Sequence, residues 1–73
     1  MNKYDYVMEL ADRELYDFSG ESRNDVYYCV MALCMLVNGD NPTIAANMMW
    51  KHMEGALKAT AFFSTAVEEY NRR

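Results

Sequence analysis

An all-α fold of three helices, the last much the longest, follows from three features of this sequence. Apolar residues recur at helical spacing along nearly its whole length, and residues that stop and start helices cluster at only two places. The third feature is a run of twelve residues, 26–37, with no charge, amide or hydroxyl other than the phenols of Tyr27 and Tyr28. One proline and three glycines among 73 residues leave no room for a linker, so the chain reads as a single domain, 1–73, with helices at about 3–18, 22–38 and 42–70. An apolar share of 52%, with 14% aromatic residues, excludes a disordered chain.

The first helix has Asn2 as its cap. Val7, Ala11 and Phe18 centre an apolar stripe that Tyr4, Met8 and Leu15 widen, while acids fill the far side. Ser19 and Gly20 end it, glycine being the residue that accepts the left-handed conformation after a helix. Ser22 then caps the second helix, with Asp25 three residues on as a short form of the capping box.

The apolar run makes up most of that second helix. At about 18 Å it is too short for a bilayer, which needs about 20 apolar residues, so it reads as a helix buried within protein. Val26, Cys29, Val30, Leu33, Leu36 and Val37 form an aliphatic side suited to the chain's own core. Tyr27, Tyr28, Met31, Cys34 and Met35 form the other side, in residue types enriched at protein interfaces. Cys29 and Cys34 face different ways on a helix and cannot bridge each other. Asn38 and Gly39 close the helix.

Asn41 followed by Pro42 is the clearest start, and no strong breaker follows it, so a continuous third helix is expected. At about 1.5 Å per residue it would reach about 43 Å, against about 24–26 Å for the other two, and one end would overhang. Its apolar face (Ile44, Met48, His52, Ala56, Ala59, Phe62, Phe63, Ala66 and Tyr70) continues into that overhang, so completion by a second copy as a homodimer is expected. The alternative is a kink at Gly55 that folds the chain back into a four-helix bundle. Gly55 and Ala59 would let another helix approach closely. Trp50, Met53 and Leu57, at i, i+3 and i+7, form a second patch left partly exposed.

The formal charge is −4, and eight of the eleven acids but only three of the seven bases lie in residues 1–40. Such an acidic surface argues against direct nucleic-acid binding, which needs a basic stripe. Catalysis is not expected either. The thiols sit in the least polar segment, where they stay protonated and inert, and no phosphate loop, zinc motif or HExxH string is present. His52, the single histidine, reads as a hydrogen-bonded structural residue; its neighbours Met48, Met49 and Met53 raise a soft copper site as a lesser alternative.

The expected function is a small non-catalytic module that occludes a larger protein, a regulator or inhibitor of the size phages use in host takeover or against host defences. Its expected contact residues are Tyr27, Tyr28, Met31, Met35, Trp50, Met53 and Leu57. The alternative is an acidic decoy presenting Asp5, Glu9, Asp12 and Asp17 to a nucleic-acid-binding groove. No cofactor, membrane contact or direct nucleic-acid contact is expected. With no basic flank leading into an apolar stretch, no targeting segment is expected, and buried thiols fit the cytoplasm.

Overall fold

In a computed structural model, residues 1–17 and 20–73 are described, with the side chains of Asp17 and Glu21 excepted. Among the described residues the architecture is all-helical, with four α-helices rather than three: α1 (Lys3–Glu14), α2 (Gly20–Asn38), α3 (Pro42–Lys51) and α4 (Met53–Asn71). A 3₁₀ turn, Leu15–Asp17, follows α1. No helix among the described residues is long and apolar enough to cross a membrane.

Local signals set most of the helix ends. The Asn2 side chain accepts a 2.9 Å hydrogen bond from the Asp5 amide and so caps α1. Asn41 does the same for α3, accepting from the Ile44 amide at 3.3 Å with Pro42 in the first turn. At the end of α2, Gly39 takes φ 79°; its amide bonds to Leu36 O and the Asp40 amide to Met35 O, the paired bonds of a Schellman motif. The expected cap at Ser22 does not form. The helix already runs from Gly20, and Asp25 is engaged elsewhere. Phe18 and Ser19, the expected end of the first helix, lie outside the described residues.

The long third helix is corrected in a specific way. It breaks at His52, with φ −129° and ψ 54°, and not at Gly55. A straight helix of that length could lay only one half against α2, whereas a bend lets both halves bury their apolar sides on it. Three contacts from α2 hold the break. Asp25 pairs with His52 Nδ1 at 2.9 Å, and the Cys29 thiol donates to the His52 carbonyl at 3.6 Å. Gly55 lets α4 close onto α2 directly, since a Cβ there would sit 2.9 Å from Asp25 Cβ and 3.1 Å from its carbonyl carbon.

The core lies where α1, α2 and α4 meet: Val7, Leu10, Ala11 and Leu15 from the first segment, Val26, Cys29, Val30 and Cys34 from α2, and Ala59 and Ala66 from α4. Phe62, Phe63, Tyr4 and Tyr27 close it as half-buried aromatics. The expected aliphatic side of α2 holds from Val26 to Leu33, which packs against the core. Leu36 and Val37 in the last turn are exposed, while Ala32 and Cys34 are buried instead. The break also turns α3 relative to α4, so Ala45 is buried on α3 and Ile44 is half exposed. Opposite the break, the molecule is closed by aromatics: the Tyr6 and Tyr70 rings meet at 5.6 Å with their planes tilted by 49°, and the Arg73 guanidinium sits 4.6 Å over the Tyr6 ring.

Candidate protein-docking groove

The bend at His52 makes a crook between α3 and α4, and apolar side chains line it. Trp50 stands in the last turn of α3, Met53 opens α4, and Leu57 follows one turn later; they are 78%, 67% and 78% exposed. With Ala46, Met49 and Ala56 they line an open groove of about 530 Å³, edged by Glu54 and Thr60. An indole, a thioether and an isobutyl group left in water on one surface constitute an unsatisfied apolar patch.

The remaining expected contact residues are not part of this groove. Tyr27 is half-buried toward α1, and burial, then the charge and hydrogen bond of Asp12, push its phenol up from the ordinary tyrosine value. Tyr28, 46% exposed, meets the Tyr27 ring edge-on at 6.1 Å. It lines a separate recess of about 330 Å³ with Ile44, Met48 and His52. The two depressions share no residue, because Trp50 and Ile44 leave α3 in different directions. Met31 and Met35 are half-buried.

The other candidates are placed as follows. Asp5, Glu9 and Asp12 are exposed along α1; the Asp17 side chain lies outside the described residues. The string from Met48 to Met53 is divided: Met48 and His52 line the Tyr28 recess, while Met49 and Met53 line the Trp50 groove. His52 Nδ1 is already directed at Asp25. Neither cysteine is in a disulfide. Burial, and secondarily the Asp5 carboxylate, push the Cys34 thiol up to about 11, and burial with the Asp25 charge raises Cys29. Both therefore favour the protonated form at neutral pH, in which a thiol is a poor nucleophile.

Sequence reasoning singled out Trp50, Met53 and Leu57 but missed Ala46, Met49 and Ala56 beside them. The signal was present, since positions 46, 49, 50, 53 and 57 follow helical spacing. It was hidden by assigning Met48 and Ala56 to the main face of an unbroken helix. Compared with known protein families, curated proteins and solved structures, the chain matches none of them.

Proposed function

We propose that this chain is a non-catalytic interaction module that docks on a larger protein through the groove of Trp50, Met53 and Leu57, and regulates or inhibits that protein by covering its surface. The observation that carries this reading is the exposure of those three side chains, two thirds or more each, side by side along one groove. An exposed tryptophan flanked by other apolar side chains is the kind of anchor that dominates binding energy at protein interfaces.

The test is quantitative. A partner is isolated by affinity capture from the source cells, and its binding to variants is then measured with purified components. Trp50→Ala and Leu57→Ala should each weaken binding about tenfold or more, while leaving the melting temperature nearly unchanged because neither residue is in the core. Neutralising Glu9 and Asp12 together should change affinity far less. The opposite ranking, with strong loss of affinity at moderate salt, would instead establish the acidic face of α1 as the contact surface.

A further inference from the structure

We propose that two copies of this chain form a domain-swapped dimer, in which α4 of each copy straightens from α3 at His52 and docks on α1 and α2 of the other. One residue separates the two helices, and it is neither proline nor glycine. Nothing local at His52 demands the break. Its φ of −129° is open to any residue, and its carbonyl already accepts the first helical bond of α4 from the Ala56 amide at 2.8 Å. Straightening rotates the backbone at this position and restores the helical bonds that the bend removes.

The distribution of contacts favours exchange of α4. It packs mainly on α2 and α1 and touches α3 little, so it can leave α3 without breaking a large interface. In the closed chain, α3 runs back along α2 to Asp25, near the start of α2. A straightened α4 of about 28 Å would therefore project beyond that end with Ala59, Phe62, Phe63 and Ala66 uncovered. The surface already shaped for that face is the α1–α2 groove of a second copy that has released its own α4. The contacts of α4 with α1 and α2, including the Gly55 approach to Asp25 and the tilted ring contact of Tyr70 with Tyr6, are then remade between copies. The balance between the two states rests on the hinge and on concentration.

The bend is held by modest contacts. The Asp25–His52 pair is more than a third exposed on both sides, and pairs of that kind contribute little. Full-length chain followed by sedimentation from about 10 μM to about 1 mM provides the measurement. His52→Ala removes the pair and raises helix propensity at the hinge, so dimerisation should strengthen about tenfold. Met53→Pro should abolish the dimer while keeping the fold, because proline is accepted in the first turn of α4 but not inside a straight helix. In the His52→Ala dimer, mixed labelled and unlabelled copies should show the Tyr6–Tyr70 ring contact between copies. A His52→Ala chain that stays monomeric throughout overturns the proposal. So does a dimer whose Tyr6–Tyr70 contact remains within one copy, or a folded Met53→Pro chain that dimerises as the parent does.

Discussion

Cys34 shows how one buried group ties stability to pH. Its thiol ionises near 9.0 when the environment is ordinary and near about 11 in the fold. Its contribution is therefore fully present below pH 9 and is lost as pH rises toward 11, since the unfolded chain releases the proton first. The loss should amount to about 2 kcal/mol, and Cys29 and Tyr27, raised in the same direction, add to it. Denaturant unfolding at several pH values checks this: Cys34→Ala should flatten the slope between pH 9 and 11, and an unchanged slope would refute the assignment. At this scale the sequence was legible, because an uncharged run around both thiols already implied burial. The role of Asp25 was not. It lay three residues after a serine, as a capping acid should, and only the approach of α3 reveals it as the partner of His52.

Among the helices, the decisive contact is the one at Gly55. In an exposed helix interior, glycine to alanine stabilises by about 1 kcal/mol through propensity. Here the added Cβ would meet both the side chain and the backbone of Asp25, and backbone within α2 cannot yield cheaply. Gly55→Ala should therefore destabilise by about 1–2 kcal/mol despite its higher propensity, read as a lower melting temperature. Gly20→Ala, with no neighbour within 4 Å, is the matched control and should be close to neutral. The helix starts at Asn2 and Asn41 and the stop at Gly39 were readable because caps are local chemistry. The break at His52 was not, because residues 42–70 contain no strong local breaker and the bend is imposed from outside by α2.

The whole molecule is thin, with extents of 33 × 29 × 16 Å. Few side chains are fully covered in such a shape, so each carries a large share of stability. A chain of 73 residues is expected to be stable by roughly 4–11 kcal/mol, and truncating a buried leucine costs about 2–5. Leu15→Ala, removing a side chain that is 1% exposed, should therefore leave the protein marginally folded at 37 °C, seen as loss of cooperative melting. Trp50→Ala, from the surface, should not. By itself the sequence determined the helical class, three of the helix ends and the apolar patch at Trp50, Met53 and Leu57, because caps and helical periodicity depend on neighbours a few residues away. Tertiary structure alone decided that the third helix divides, that α2 serves as the common support, and that the Tyr28 recess and the Trp50 groove are separate surfaces. The reason is that a helix of adequate propensity bends where burying both halves outweighs the hydrogen bonds lost at one residue, and that balance is set by residues distant in the chain.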